Sequence, residues 1–329
     1  MNHSTFKSFT FGIGLFFTLP LVYGNSSSPS SSDGTLYINK SKTHKVAPVK
    51  YGFHYEEIGM MGEGALHAEL IRNRSFEEAT PPAGLSVKNG LYENVPAPRV
   101  KEKKVFQADP LIGWTTYPLS YTPVFISRTD ENPMSGENKY SMLVNVTEDI
   151  ANHPDALILN RGYYGMNLKT DTSYRLSLFL KNRNYSAPLR VFLVDEWGQR
   201  VSNVIEVNVG NRDWTKYTGE LKPEKNVRRG MFAIQPMSKG QFQIDVVSLF
   251  PSDTWNDGKS VFRKDIVQNL KEFSPSFIRF PGGCIVHGVN EETMYHWKKT
   301  LGPIENRPGQ WSKWAPYYCT DGIGYHEFY

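Results

Sequence analysis

Two carboxylates follow a short apolar segment near the start of the folded part of the chain. Residues 49–55 (VKYGFHY) have the composition of a β-strand, and Glu56 and Glu57 come directly after them. In parallel β/α barrels, the side chains that act on a ligand lie at the carboxyl ends of the strands. One of these glutamates is therefore expected to face a cleft and to hydrogen-bond a polar ligand. An exposed loop carboxylate is the alternative.

A second segment combines a strand, two glycines and a thiol. Residues 276–280 (SFIRF) are predicted to form a short buried strand, and the sequence PGGC follows directly. Gly282 and Gly283 permit positive φ angles and allow a ligand to approach the backbone closely. Cys284 would then point into the mouth of a barrel. An inert buried thiol, the common state of a free cysteine, is the alternative.

Cysteine and histidine residues near the C-terminal end raise the question of a metal site. Cys284 and His287 have a ligand-like spacing, but the chain contains no CxxC or HxxxH pair, and His296, Cys319 and His326 are irregularly spaced. Zinc is therefore the weaker interpretation, and no metal or cofactor is expected. A disulfide between Cys284 and Cys319 is compatible with a secreted chain but has no specific support.

Two loop motifs have the composition of other kinds of ligand site. Residues 61–66 (MGEGAL) contain a GxG but lack the third glycine of a dinucleotide-binding loop, which argues against phosphate binding. Residues 129–138 (TDENPMSGEN) offer oxygen ligands for Ca²⁺ but are equally typical of a solvated turn.

The elements that must position these residues change in kind along the chain. Residues 64–78 have helical spacing, residues 104–250 alternate with period two, and residues 264–273 form an amphipathic helix that Pro275 ends. Eight or so short strands without an intervening helix favour an antiparallel β-sandwich, in the form of a jelly roll. The helix, strand and glycine turn that follow are typical of one unit of a parallel barrel.

The best-defined strands and a set of aromatic residues lie in the period-two segment. The strands are predicted at residues 173–182, 189–196, 203–209, 230–236 and 242–250. Six aromatic residues are candidates for a platform that stacks on sugar rings: Trp114, Tyr117, Tyr121, Tyr163, Tyr164 and Trp197. Aromatic residues that simply fill the sandwich core are the alternative.

Composition and the N-terminus restrict the class of protein. With 39% hydrophobic residues, 21% charged residues and a net charge of +4, the chain is globular and has no charge excess that would call for nucleic acid. Residues 1–24 resemble a secretory signal, and residues 25–34 form a Ser-rich tether. A secreted, extracellular or periplasmic protein without a membrane anchor is expected. Several N-x-S/T sequons are present, among them those that begin at Asn39, Asn73, Asn145 and Asn184.

Three ordered blocks of sequence resemble glycoside hydrolase family 51, the α-L-arabinofuranosidases. The first block is YGFHYEEIG with EGALHAELIRNRSFEE, the second is LFPSDTW with SFIRFPGGCIVHG, and the third is WKKTLGPIENRPGQW with DGIGYHEF. The blocks cover residues 35–80 and 250–329. The stretch between them is similar to a carbohydrate-binding module of the family 4/9 type.

The resemblance implies a (β/α)₈ barrel that removes terminal arabinofuranose by the retaining route, in which an acid/base carboxyl and a nucleophilic carboxylate lie about 5 Å apart. It places Glu56 at the family's substrate-binding glutamate, and Gly283 with Cys284 at the sugar-contacting position. Arabinan, arabinoxylan or other arabinofuranosyl-bearing glycans are the implied partners. The oligomeric state is not predicted.

The resemblance also implies that both catalytic glutamates lie beyond Tyr329, because they belong to later barrel strands. The chain is therefore expected to be an inactive N-terminal portion with an incomplete barrel. The alternative is a non-catalytic carbohydrate-binding protein that acts through the sandwich. The expected division is a signal peptide at 1–24, a tether at 25–34, the first barrel strand with its following loop or helix at 35–84, the sandwich at 85–250, and the second barrel unit with the start of the third at 251–329.

Overall fold

The computed structural model describes residues 38–45, 49, 51–81, 86–93, 106–288, 290–312 and 317–329. The chain divides into two compact units, residues 1–48 and 49–329. In the first unit, the Ser41 backbone and hydroxyl donate hydrogen bonds to the Asn39 side chain. The predicted signal peptide, the tether and nearly all of the strand expected at 35–38 lie outside the described residues. None of the helices in the described part is long and apolar enough to cross a membrane.

The second unit consists mostly of β-strands. Its strands are β1 Phe53–His54, β2 Ser86–Lys88, β3 Leu91–Glu93, β4 Phe106–Gln107, β5 Trp114–Tyr117, β6 Val124–Thr129, β7 Ser141–Val146, β8 Leu157–Asn160, β9 Met166–Leu168, β10 Tyr174–Asn182, β11 Pro188–Val194, β12 Ile205–Asn208, β13 Thr215–Leu221, β14 Val227–Gln235, β15 Gly240–Pro251, β16 Ile278–Arg279, β17 Gln310–Trp311 and β18 Tyr318–Cys319. The α-helices are α1 Lys264–Glu272, α2 Cys284–His287 and α3 Tyr325–Phe328, with a π-helix at Gly62–Leu66 and 3₁₀ turns at Ile150–Asn152, Glu291–Thr293, Trp297–Thr300 and Ile304–Asn306.

Two large antiparallel sheets lie between β5 and β15. One has the strand order β13-β10-β15-β7-β6, and the other has the order β12-β11-β14-β8-β5 with β9 beside β14. All five strands predicted from the period-two pattern are present, as β10, β11, β12, β14 and β15. The alternation places every second side chain of β10 in the interior, since its burial alternates along most of its length.

The two sheets share one apolar core. Leu178 of β10 and Ile244 of β15 belong to the same buried cluster as three residues of the other sheet, which are Leu189 and Leu193 of β11 and Phe232 of β14. The six-stranded sheet also buries its other face, where Leu157, Leu159, Phe192, Val194, Met231 and Ala233 form a second cluster. This double burial explains why β8 is buried at every position instead of at alternate ones.

The prediction of a helix at residues 64–78 is wrong beyond the first turn. The π-helix ends at Leu66, and the chain then runs alongside β15 without helical hydrogen bonds. The Ala68 amide donates to the Val261 carbonyl and the Leu70 amide donates to the Leu249 carbonyl. Tertiary hydrogen bonds therefore replace the local ones that the apolar spacing suggested.

The elements that flank the sheets form a small parallel pair. β1 and β16 pair in parallel, with Phe53 opposite Ile278 and His54 opposite Arg279, and the predicted helix is present as α1. The expectation that residues 276–280 are buried is wrong, because Phe277 and Ile278 are each 50% exposed. The reason is that β16 pairs only with β1 among the described residues, which contain no closed barrel.

Candidate functional site

Glu56 lies at the carboxyl end of β1 and is largely buried, with 9% of its surface exposed. One carboxylate oxygen accepts a hydrogen bond of 2.9 Å from the Ile285 amide in the first turn of α2. The other lies 3.7 Å from Nε2 of His54. The exposed loop carboxylate considered from the sequence is thus not the environment of Glu56. Its side chain joins the ends of the two parallel strands.

The glycine turn after β16 is shaped around this carboxylate. Gly282 has φ +127°, a value that favours glycine, and a Cβ on it would lie 2.5 Å from Cβ of Glu56. A Cβ on Gly283 would lie 3.4 Å from Oε2 of Glu56. The sequence suggested that the glycines make room for a ligand. In the structure, Gly282 makes room for the Glu56 side chain, which brings Glu56 and Gly283 together at one edge.

The two thiols are separate and differ in environment. Cys284 is the first residue of α2 and is half-buried, whereas Cys319 on β18 is buried, and both are free. The disulfide considered from the sequence is therefore absent. Burial raises the pKa of the Cys319 thiol well above its ordinary value, and the nearby carboxylate of Glu57 adds to the effect. Cys319 is therefore a buried thiol that stays protonated near neutral pH.

Glu57 is held by a network of hydrogen-bond donors. The Tyr317 hydroxyl donates to Oε1 over 2.9 Å, and the Glu63 amide and the Tyr55 hydroxyl donate to Oε2 over 3.2 and 3.3 Å. The Tyr317 hydroxyl in turn accepts from the Met60 amide. Burial raises the pKa of Glu57 despite these donors, which lower it.

Two further acids complete the buried cluster. Glu63 accepts hydrogen bonds from the backbone amide and hydroxyl of Thr320, and Asp321 follows on the same segment. Burial raises the pKa of Glu63 to about 8 and that of Asp321 to about 7. Negative charge on Glu57 adds to both shifts. Near neutral pH this cluster therefore holds protons that exposed carboxylates would have released.

The space between these acids is too small for a sugar. Glu57, Glu63, Cys319 and Asp321 line a cavity of about 30 Å³, which is the volume of roughly one water molecule. The cluster therefore does not enclose a site of sugar size. Among the described residues, no group of three or more acidic, histidine or cysteine side chains is arranged to hold a metal ion.

Sequence reasoning missed Glu63, Tyr317, Thr320 and Asp321. Glu63 lies in the glycine-rich segment whose spacing raised only the question of phosphate binding, and its partner Thr320 is 257 positions away. No local pattern marks such a contact. A glutamate in an otherwise small and apolar turn is the one signal that could have been followed.

The six aromatic candidates do not form one platform. Trp114 is buried in the core and Tyr117 packs against the second apolar cluster, as the core interpretation predicted for them. Tyr163 is half-buried against Gly64. Tyr121, Tyr164 and Trp197 are 54%, 83% and 73% exposed.

Comparisons with known proteins find α-L-arabinofuranosidases, the family that the blocks of sequence around this site resemble. A family model described as an α-L-arabinofuranosidase 1 domain matches residues 269–329. Alpha-L-arabinofuranosidase 1 of Arabidopsis thaliana is 28% identical over 284 residues, which are 85% of this chain and 38% of that protein. The extracellular exo-alpha-L-arabinofuranosidase of Streptomyces chartreusis is 27% identical over 292 residues, 85% of this chain and 30% of its own length.

A solved structure of an α-L-arabinofuranosidase has a similar fold. The arabinose-bound MgGH51 α-L-arabinofuranosidase superposes with a TM-score of 0.69 at 25% identity, covering 88% of this chain and 43% of that one. The chain spans less than half the length of each of these relatives. The family model, the relatives and the shared fold agree that the chain is similar to the α-L-arabinofuranosidases of glycoside hydrolase family 51.

Proposed function

We propose that this chain supplies the sugar-binding edge of a secreted enzyme that releases terminal, non-reducing α-L-arabinofuranosyl residues from glycans such as arabinan and arabinoxylan. Glu56, Gly283 and Cys284 are the residues of the chain that would contact the sugar. The family resemblance supports this assignment. The name of the Streptomyces relative describes an extracellular enzyme, and a secretory signal is predicted at residues 1–24 of this chain.

One observation carries the proposal. The hydrogen bond from the Ile285 amide to Glu56 fixes a carboxylate at the end of β1 directly beside the turn that leads into Cys284. A carboxylate whose one oxygen is held by the backbone keeps the second oxygen in a defined place, where it can accept from a sugar hydroxyl. The half-buried thiol of Cys284 adds a neighbouring polarizable contact.

The proposed chemistry is retaining hydrolysis, in which one carboxyl protonates the leaving oxygen and a second carboxylate forms a covalent glycosyl-enzyme. Glu56 has neither role in this proposal. It binds the sugar, and the carboxyl pair is assigned to later strands of the barrel. Accordingly, β1 and β16 with α1 between them are proposed as the first two strands and first helix of a (β/α)₈ barrel. The sheets within residues 85–250 are proposed as an inserted carbohydrate-binding module.

The test uses the 329-residue chain with two probes. With 4-nitrophenyl α-L-arabinofuranoside, no release of nitrophenol is expected, and turnover would overturn the assignment of the carboxyl pair. With methyl α-L-arabinofuranoside, NMR titration should show weak binding that Glu56→Gln reduces about fivefold, as the loss of one hydrogen bond predicts. Glu196→Gln, which alters an exposed glutamate after β11, is the matched control. Equal binding by the Glu56 and Glu196 variants would contradict the proposed role of Glu56.

A second candidate is a protein that binds glycans without cleaving them. The exposed rings of Tyr121, Tyr164 and Trp197 favour it, because aromatic faces in water are typical of carbohydrate contacts. Affinity electrophoresis in gels that contain arabinan or arabinoxylan, with and without Ca²⁺, tests this candidate. An unchanged mobility in every gel would eliminate it.

A further inference from the structure

A cavity of about 310 Å³ lies on the face of the five-stranded sheet that points away from the shared core. Ser177 and Phe179 of β10 line it, whereas Leu178 between them points into the core. Residues 302–307 form another part of its wall. We call it the outer-face cavity. None of the three residues that are proposed to contact the sugar lines it, so the two sites are distinct.

Among the described residues, three cationic side chains line the outer-face cavity against two carboxylates. Lys216 pairs with Glu305 over 2.7 Å, and Arg307 pairs with Glu327 over 2.6 Å. Each carboxylate on the lining is therefore matched by one cation. Arg74 is the third cation, and the lining itself offers it no further carboxylate.

Arg74 is a buried cation whose charge is poorly compensated. It is 3% exposed, its Nε has no hydrogen-bond partner among the described residues, and its ion-pair contact with Glu69 is 3.9 Å long. The Glu69 oxygens already accept from the Leu249 amide and the Ser248 hydroxyl, and burial raises the pKa of Glu69. A buried charge is costly unless it is paired and hydrogen-bonded. An anion bound in the cavity would supply that partner.

Two titratable groups on the lining report a positive potential in the cavity. Burial lowers the pKa of His67 well below its ordinary value, and the guanidiniums of Arg74 and Arg307 lower it further. Burial raises the pKa of Glu305, but its hydrogen bond with Lys216 and the charges of Lys216 and Arg74 bring that pKa below its ordinary value. Both effects of charge are those of nearby cations, which also favour a bound anion.

The remaining walls of the cavity are largely apolar. They come from five side chains: Phe179, Val246, Phe250, Val261 and Ile304. A buried water molecule typically makes about three hydrogen bonds, and such walls offer it few partners. The volume of about 310 Å³ lies at the lower end of the range of small-molecule sites. An occupant with an apolar body and one acidic group matches both the walls and the charge.

We propose that the outer-face cavity binds a small organic monocarboxylate, whose carboxylate pairs with Arg74 and whose apolar body lies against Phe179 and Phe250. Three cations against two carboxylates on the lining match a ligand with a single negative charge. The site does not depend on the proposed hydrolase activity or on Glu56.

The test uses isothermal titration of the 329-residue chain with two acids, benzoate and 3-phenylpropionate, and with their neutral amides, benzamide and 3-phenylpropanamide. At least one acid should bind with a stoichiometry of one. Its amide, which has the same shape without the charge, should bind about tenfold or more weakly, because the charge-assisted pair with Arg74 is lost. Inorganic sulfate should also bind more weakly than the acid, since it leaves the apolar walls uncovered.

Two variants locate the binding. Arg74→Met removes the guanidinium and should weaken binding of the acid about tenfold or more, while the affinity for the amide stays as it is. Ser177→Trp fills the cavity from β10 without removing a charge and should abolish binding of both probes. Arg228→Met, which removes an exposed guanidinium on β14 outside the lining, is the matched control and should bind both probes as the wild type does.

The comparison of acid with amide and the Ser177→Trp variant decide the proposal even if Arg74→Met fails to fold, which circular dichroism would show. Equal affinities for acid and amide would overturn it, as would the absence of binding by both acids. Binding of the acid that Ser177→Trp leaves intact would place the ligand elsewhere and also overturn it. Sulfate binding as tight as that of the acids would show an adventitious ion only.

Discussion

The sheets and the strand ends of this protein are stabilised by different kinds of buried group. In the sheet region, residues 114–251, the interior is apolar, and Leu178, Leu193 and Phe232 have no exposed surface. In the glutamate region, residues 51–66 with 276–329, the buried side chains include the acids Glu57, Glu63 and Asp321, while Phe277 and Ile278 are half-exposed. The glutamate region thus buries several acids near one another and leaves apolar side chains of β16 exposed.

The two regions therefore differ in the kind of interaction that stabilises them. The sheet region gains most of its stability from apolar area removed from water, and that contribution does not depend on pH. Asp245 on β15 is the exception within its core, because burial raises the pKa of this acid. The glutamate region is held by hydrogen bonds to carboxyl groups whose pKa values burial has raised, so its stability depends on protonation. Substitutions in the two regions should therefore differ both in size and in pH dependence.

The largest effect is expected from Leu178→Ala in the sheet region. Leu178 lies in the core that both sheets share, and its truncation leaves a cavity that costs about 3–5 kcal/mol of the free energy of unfolding. Ile278→Ala in the glutamate region should cost less than about 1 kcal/mol, because half of Ile278 is already exposed. Urea unfolding measures both. Equal costs would show that β16 contributes to a core as much as β10 does.

A somewhat smaller loss in the free energy of unfolding is expected from Glu69→Ala. Glu69 lies where residues 67–81 pack against β15. Glu69 accepts hydrogen bonds from the Ile71 amide, the Leu249 amide and the Ser248 hydroxyl. Its loss leaves these donors unpaired in the interior and costs about 2–4 kcal/mol. Glu69→Gln keeps the acceptor for both amides and should retain most of the stability in the same urea experiment. A Gln variant as unstable as the Ala variant would show that the charge is what matters at this joint.

The sheet region was the more predictable of the two from sequence, for a physical reason. Residues 173–182 alternate with period two because one face of β10 meets the core, so the strand is visible in its own composition. The helix predicted at 64–78 failed because its apolar residues follow the surface of β15 instead of a helical stripe. Apolar spacing alone does not distinguish these two outcomes.

The candidate site was predictable only where its residues follow a strand. The apolar segments before them marked Glu56 with Glu57, and Gly282 with Gly283, as candidates, and the family resemblance singled out Glu56 and Gly283. The structure brings these two residues to one edge. The pairing of Glu63 with Thr320 joins residues that are 257 positions apart, and neither residue type is unusual. Buried acids of this kind are defined by the tertiary fold, so no sequence pattern could have assigned them.

The third prediction concerns the pH dependence of the glutamate region. The pKa of Glu63 is about 8 in the folded chain and 4.5 in the reference state, so between these values the folded state holds a proton that the unfolded state has released. Raising the pH through this window therefore lowers the free energy of unfolding, with no further loss above about pH 8. Glu63→Gln should remove on the order of 2 kcal/mol of this dependence between pH 5.5 and pH 8.5. Thermal unfolding across this range measures it, with Glu196→Gln as a control that keeps the wild-type slope.

If the free energy of unfolding has the same slope against pH in the wild type and in Glu63→Gln, Glu63 releases its proton without a cost in stability. The acid cluster would then not distinguish the glutamate region from the sheets. The pKa of Asp321, about 7, falls in the same pH window. Some slope of the free energy of unfolding against pH should therefore persist in the variant.

The smallest effect is expected from Tyr317→Phe, which tests whether single hydrogen bonds organise the acid cluster. The Tyr317 hydroxyl donates to Glu57 over 2.9 Å and accepts from the Met60 amide over 3.1 Å, so its loss should cost about 1 kcal/mol. Because this donor is the strongest of those that lower the pKa of Glu57, that pKa should rise further in the variant. Carbon-detected NMR titration of the Glu57 carboxyl measures the shift, and Tyr329→Phe, at a ring that is 99% exposed, is the control. A Glu57 pKa that stays in place would show that burial alone sets it, and the hydrogen-bond network would then be a consequence of the packing and not its cause.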